Sequence, residues 1–346
     1  MKTLLSSLLL LSFAALPLAA SGSESEPKLF AALAMTKSQK ASPLPTDSGV
    51  FLYDNEAQRW RRFGPSIQQV NSLASDPSNP AHLFLACGNG IVRSQDGGTS
   101  WRMVTGWRES DITKIVVDPT NGQNVYASSA WGVIISKDGG DTWTAANQGL
   151  IEKLVKSIVI DHLNPHRLLV ATTAGLFESN DQAQSWEQIH VPTSDAILGL
   201  DRNQSNPDLW IAGTEGSGVI LSKDNGKTWQ STAPALAQTN IYGITTNHAN
   251  SQAMAAGGWG KGLWVSTDGG DTWTDRSAGL PSKNISKTTF DQAIKNRLWV
   301  STFEEGTFYS DDLGKTWHTD DIIKPGAVGS ILGAYVIDLG FVSVSK

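Results

Sequence analysis

Ser136-Lys137-Asp138-Gly139-Gly140-Asp141-Thr142-Trp143 is an octapeptide that this 346-residue chain repeats. Further copies run Ser94 to Trp101 (SQDGGTSW), Ser179 to Trp186 (SNDQAQSW), Ser222 to Trp229 (SKDNGKTW), Ser266 to Trp273 (STDGGDTW) and Ser310 to Trp317 (SDDLGKTW). A degenerate copy stands at Tyr53 to Trp60 (YDNEAQRW), with Asn55 at the Asp position. The intervals between the closing Trp residues are 41, 42, 43, 43, 44 and 44 residues, and so steady a period marks a repeat architecture.

The residue types explain the turn. Asp at the third position is placed to accept a backbone N–H two residues on, as in an Asx-turn. Gly at the fifth takes a positive φ without a Cβ clash. The Ser and Thr hydroxyls cross-link the turn, and the Trp ring packs beneath it. Asp96, Asp138, Asp181, Asp224, Asp268 and Asp312, with Trp101, Trp143, Trp186, Trp229, Trp273 and Trp317, are therefore structural. A residue repeated in symmetric copies cannot mark one asymmetric site. The run Asp138 to Asp141 also lacks the acidic positions and distal Glu of a calcium loop.

The octapeptides resemble the Asp-box, S-x-D-x-G-x-[TS]-W, or BNR repeat. The resemblance spans nearly all of the chain after its first residues, and it implies a β-propeller. Sialidases, xyloglucan-degrading glycosidases, sortilin-type receptors and photosystem II assembly-factor propellers share the motif, so it specifies a fold and leaves the chemistry open.

Between boxes the order is regular. Ile112 to Asp118, Asn124 to Ser128, Val133 to Ser136 and Thr142 to Thr144 read as four short strands A to D, with the box on the C–D turn. Such a unit cannot bury its own faces and must stack on its neighbours. The expected fold is all-β, a seven-bladed propeller of four-stranded antiparallel blades closed between the two ends of the chain. In the closing blade, Gly49 to Phe63 supplies strands C and D. Ser330 to Asp338 and Gly340 to Ser345 match A and B, a two-plus-two closure; Leu29 to Leu33 also resembles a B strand, which would make it three plus one. Either hides the sheet edges. The divisions are then a signal peptide over 1–20, a leader over 21–48 that is partly disordered, and the propeller over 49–346.

Lys2, the apolar run Leu4 to Leu18, and Ala19, Ala20, Ser21 and Gly22 form a Sec signal peptide with cleavage near Ala20. About 15 apolar residues are too few to span a bilayer, and no Cys follows to carry a lipid. A periplasmic or extracellular, soluble monomer is expected. Cys87, the single cysteine, can form no intramolecular disulfide and sits in an apolar run as a small buried hydrophobe. A net charge of −6 excludes nucleic acid and anionic membrane as general partners.

The boxes occupy one face, so recognition falls to the B–C and D–A loops of the other, around the central channel. Those loops hold Trp107, Arg108, Glu109, Trp131, Glu215, Trp259, Lys261 and Glu304. Three large aromatics beside charged groups resemble an interface core with a polar rim. A sialidase would need three arginines on that face, where only Arg108 falls, and the [FY]-R-I-P signature is missing. A glycosidase pair would have to come from Glu109 or Asp111 with Glu215, Glu304 or Glu305. His162 and His166 have ligand-like spacing but lie in a turn with no helix to align them, and neither metal nor other cofactor is expected. The expected role is a non-catalytic binding or assembly scaffold for a protein partner. The alternative is a carbohydrate-binding or glycoside-cleaving propeller. In size and repeat count the chain most resembles the photosystem assembly-factor group. That group carries a lipid-anchoring Cys or a plastid address and a basic patch; the clustered basic residues here are Arg59, Arg61 and Arg62.

Overall fold

A computed structural model describes residues 27–35, 48–303, 305–319 and 335–345. Each repeat folds as an antiparallel meander, because its short β-branched and aromatic runs are separated by tight turns. Four such sheets span residues 70–103, 112–145, 155–189 and 285–319. A fifth closes the ring, in the order Tyr335–Ser343, Pro27–Ala34, Gly49–Asp54, Arg59–Phe63.

Residues 197–275 differ. Their strands form one eight-stranded sheet, joined where Glu215 pairs with Asn240 and Gly216 with Thr239. The expectation of seven four-stranded blades is thereby corrected: the propeller has five four-stranded sheets and one eight-stranded sheet. The cause is local. Trp210–Gly216 overruns the end of its own hairpin, turning through Gly216 and Gly218 at φ 118 and 76, and its free edge meets the strand Thr239–Thr246.

Closure is three plus one, which corrects the two-plus-two alternative. Tyr335–Ser343 is one continuous strand, paired with Pro27–Ala34 from Pro27↔Ser343 to Ala34↔Tyr335. Pro27–Ala34 lies inside the stretch expected to be a leader, and after exposed Pro27 and Lys28 its residues 29–34 are apolar and buried on both faces. Leu29, Ala31 and Leu33 pack with Val336 and Leu339, while Phe30 and Ala32 pack with Val342 and Val344. A strand buried on both sides needs this unbroken run. Residues 1–20 and 320–334 lie outside the described residues.

The core lies between neighbouring sheets. Tyr126, Val133 and Ile135 of one sheet interdigitate with Val155, Leu168 and Phe177 of the next. The octapeptide turns tie each C strand to its D strand. Ser136 Oγ donates to Asp138 Oδ1 (2.7 Å) and accepts the Gly140 N–H (2.8 Å). The N–H two residues past the Asp is thus taken by the Ser. Asp138 instead accepts the N–H groups of Asp141 and Thr142 (3.0 and 2.9 Å) and the Thr142 hydroxyl (2.6 Å). This corrects the Asx-turn expectation. Together these bonds, the Thr142 hydroxyl first, hold the Asp138 carboxyl at about 2. Where SNDQAQSW lacks the Gly, Ala183 takes φ 66 and keeps its bond to Ser179 Oγ (2.8 Å). In the degenerate copy Asp54, not Asn55, accepts the turn N–H groups, from Glu56 and Ala57.

Candidate functional site

The loop face carries two separate aromatic groups. In the first, Trp107 is 84% exposed and the Arg108 guanidinium sits 5.0 Å above its ring. Glu109 closes its own loop, Oε2 accepting the Gly106 N–H at 2.9 Å. Arg108, Glu109 and Trp131 line one cavity of about 140 Å³, floored by Ile112, Ile134 and Trp143. Trp131 is 62% exposed, its N–H bound by Ser129 Oγ at 3.0 Å.

The second group surrounds Phe303. Trp259, 55% exposed, meets Phe303 edge-on at 4.9 Å, and Tyr242 does so at 5.8 Å. Tyr335 stacks on the same ring at 5.3 Å. The Trp259 backbone is pinned by the Asn240 carbonyl (3.2 Å), and the next N–H by Asn284 Oδ1 (2.9 Å). The rim backbone is therefore tied at two successive positions. Trp259 keeps its exposure although packing partners lie beside it.

The three tryptophans expected to act together are thus divided. Trp107 and Trp131 belong with the 112–145 sheet and its entry loop, and Trp259 with the second half of the eight-stranded sheet. Glu215 is exposed at the seam of that sheet, its N–H held by the Ala196 carbonyl (2.9 Å). Lys261 is exposed beside Trp259, and its carbonyl accepts Trp264 Nε1 (2.9 Å). Glu304 lies outside the described residues. His162, on the opposite face, is engaged at both ring nitrogens, by Arg202 (2.8 Å) and the Gln204 carbonyl (3.2 Å). Among the described residues no group of three or more His, Cys, Asp or Glu is placed to hold a metal ion, and no helix is long and apolar enough to cross a membrane.

Sequence reasoning did not single out the channel. The first strand of every repeat lines a central cavity of about 160 Å³. Each of these strands shifts register against its neighbour at the same point: Ile112/Lys114, Val155/Ser157, Ile197/Gly199, Ile241/Gly243, Ile285/Lys287 and Val70/Ser72. In the closing sheet the break falls opposite Ala32/Leu33, which puts Asp338 in the same layer as Lys114 and Lys287. Lys156 lies one residue nearer the loop face, level with Tyr242. Asp201 lies deeper, its Oδ2 accepting both the N–H and the hydroxyl of Thr246 (2.7 and 3.0 Å). Burial pushes the Lys287 ammonium below its usual range; Asp338 opposes that shift and the Lys114 charge adds to it.

A closed ring of antiparallel sheets around a lined channel defines an all-β propeller. Residues 217–322 match the Sortilin-Vps10 family (sortilin, neurotensin receptor 3). No curated protein matches the chain. Among solved structures it resembles the GH74 enzyme of Niastella koreensis at 19% identity and a TM-score of 0.66, over 79% of this chain and 51% of that one. It also resembles YCF48 from Cyanidioschyzon merolae (16%, TM-score 0.60, 80% and 91% covered). A structure titled YCF48 bound to D1 peptide is similar as well (16%, TM-score 0.56, 74% and 83% covered). The chain spans about half the length of the GH74 structures. At these identities the likeness establishes the fold alone.

Proposed function

We propose that this protein is an exported, monomeric, non-catalytic scaffold of the Asp-box type that binds a protein partner on its loop face. The observation that carries this is the exposed Trp259 ring held on the packed Phe303, Tyr242 and Tyr335 rings. An ordered, solvent-facing aromatic on a rigid base has little conformational freedom to lose on binding, which is what makes aromatic anchors dominate interfaces. Trp107, with the Arg108 guanidinium over its ring, is a second exposed aromatic on that face, without a packed aromatic base. The peptide-bound YCF48 structure supports the class of partner. The similarity to GH74 enzymes supports the second reading, a glycan stacked on the same rings. Export rests on the charge, apolar run and small residues of the first 22 positions.

The test compares Trp107→Ala, Trp131→Ala and Trp259→Ala with the parent protein, in capture from the native extracytoplasmic fraction and in retention on immobilised polysaccharide. Loss of a captured protein, with polysaccharide retention unchanged, supports the scaffold. Loss of polysaccharide retention supports the glycan reading, and Glu215→Gln and Glu304→Gln then show whether any turnover disappears while affinity stays. If all three Trp variants keep every interaction, the loop-face assignment is wrong.

A further inference from the structure

The channel is a second place where this molecule could hold a ligand, and it is chemically unlike the aromatic rim. Lys114, Lys156 and Lys287 all line it, and among the described residues none of the three ammonium groups has a hydrogen bond or an ion pair. Its two acids do not balance them. Asp201 is deeper, and its bonds to the Thr246 N–H and hydroxyl leave its charge in place two residues below the lysine layer. Asp338 shares the layer of Lys114 and Lys287, so it offsets one of three cations. In a protein with a net charge of −6, the channel lining carries three lysines against two aspartates and is positive on balance. Like charges in a cavity of low dielectric repel, and an anion placed between them removes that cost.

The rest of the lining agrees. Gly199 and Gly243 occupy the same layer and add no charge to it; Gly243 is glycine for packing, since a Cβ there would meet the Lys287 backbone at 3.1 Å. The hydroxyl of Thr288, a residue only 5% exposed on the cavity wall, has no hydrogen-bond partner. About 160 Å³ has room for roughly five waters at their liquid volume. The lysines lie toward the loop-face end of their strands, so an anion entering past Tyr242 meets them before it meets Asp201.

We infer that the central channel is a binding site for a small carboxylate- or phosphate-bearing anion, held by Lys114 and Lys156 from one side and by Lys287 from the other. Asp338 sets a limit on affinity, since it faces the same space with the opposite sign. This inference is independent of the loop-face partner.

The experiment is calorimetric titration of the full chain at low ionic strength with two probes, citrate and inorganic phosphate. Saturable binding of citrate alone assigns a carboxylate ligand, of phosphate alone a phosphate ligand, and of both a site that reads charge. Lys114→Gln and Lys156→Gln should each weaken binding by about tenfold, and Asp338→Asn should tighten it several-fold. Lys223→Gln, which removes an exposed lysine paired with Asp271 on the octapeptide-turn face, should change nothing. A merely structural lysine would not give a gain on Asp338→Asn, and that variant decides the matter should a Lys variant misfold. No saturable isotherm with either probe overturns the inference, and so does affinity that is equal across folded Lys114, Lys156 and Asp338 variants.

Discussion

Removing residues 335–346 should abolish cooperative folding of the ring. The deletion takes out the innermost strand of the closing sheet, Tyr335–Ser343, together with Val344. Val336, Leu339, Val342 and Val344 are each no more than 5% exposed. Burying such side chains stabilises a fold by about 1.5–3 kcal/mol apiece, so the four together contribute roughly 6–12 kcal/mol. The whole stability of a folded protein is about 5–15 kcal/mol. The loss also uncovers Leu29, Ala31 and Leu33 and frees the edge of Pro27–Ala34, a ready template for pairing with another chain. Leu339→Ala provides a graded step, with an expected cost of about 2–5 kcal/mol. Size-exclusion chromatography with light scattering, and thermal denaturation, read both variants. The deletion should aggregate or lose its sharp transition, and Leu339→Ala should melt lower as a monomer. A deletion variant that stays monomeric with an unchanged Tm would refute the closure described here.

Two further outcomes are expected. Asp138 has its folded pKa lowered to about 2 from an ordinary 3.8, so its stabilising bonds are fully present above pH 4 and lost as pH falls toward 2. Asp138→Asn should therefore cost about 1 kcal/mol at neutral pH and show a shallower fall in Tm between pH 4 and 2 than the parent protein, and parallel curves would contradict this. If the chain is exported, N-terminal sequencing of protein released by osmotic shock or found in the medium should begin near Ser21; an intact Met1 on cytoplasmic protein would rule export out.

The turn chemistry and the strand order were legible because they depend on residues close in sequence. The period of the Trp residues shows the repeat, and Ile112 to Thr144 shows its four strands. The fusion of two repeats was not legible, because it depends on how far one strand edge reaches. Thr214-Glu215-Gly216-Ser217-Gly218 reads as a loop until its edge is seen to meet Thr239 and Asn240. Closure was half legible: both candidate strands could be named, but only the two-sided packing of Phe30 and Leu33 selects between them. At the site, Trp107, Trp131 and Trp259 were found by their loop positions. Tyr242 was missed because it lies inside the strand Thr239–Thr246, where an aromatic reads as core, and Phe303 because it directly follows the strand Leu298–Thr302 and its ring contacts come from distant segments. Lys114 and Lys287 read as ordinary polar positions in alternating strands. Aligning the first strands at their shared register break is the signal that would have put them in one layer with Asp338.

The two faces of the ring differ in what they leave unspent, and that difference locates recognition. On the octapeptide face the Ser, Asp and Thr side chains of the boxes are consumed locally. Ser136, Asp138 and Thr142 bond one another, and the other well-formed copies do the same. Arg202 and Arg167, also toward that side, are both paired with Asp161 and both lie over the Trp210 ring at 5.3 Å. Groups whose partners are already in place have little to offer a ligand, since a new bond must first break an old one. The loop face and the channel are the reverse: exposed rings with one free side, and lysine ammonium groups that have no hydrogen bond or ion pair among the described residues. Symmetry sharpens the contrast. The box is the same in each well-formed copy, whereas the channel layer carries Lys, Ser, Gly or Asp depending on the strand. A ligand that lacks the ring's symmetry can be oriented only by positions that break it, and Lys114, Lys156, Lys287 and Asp338 are such positions.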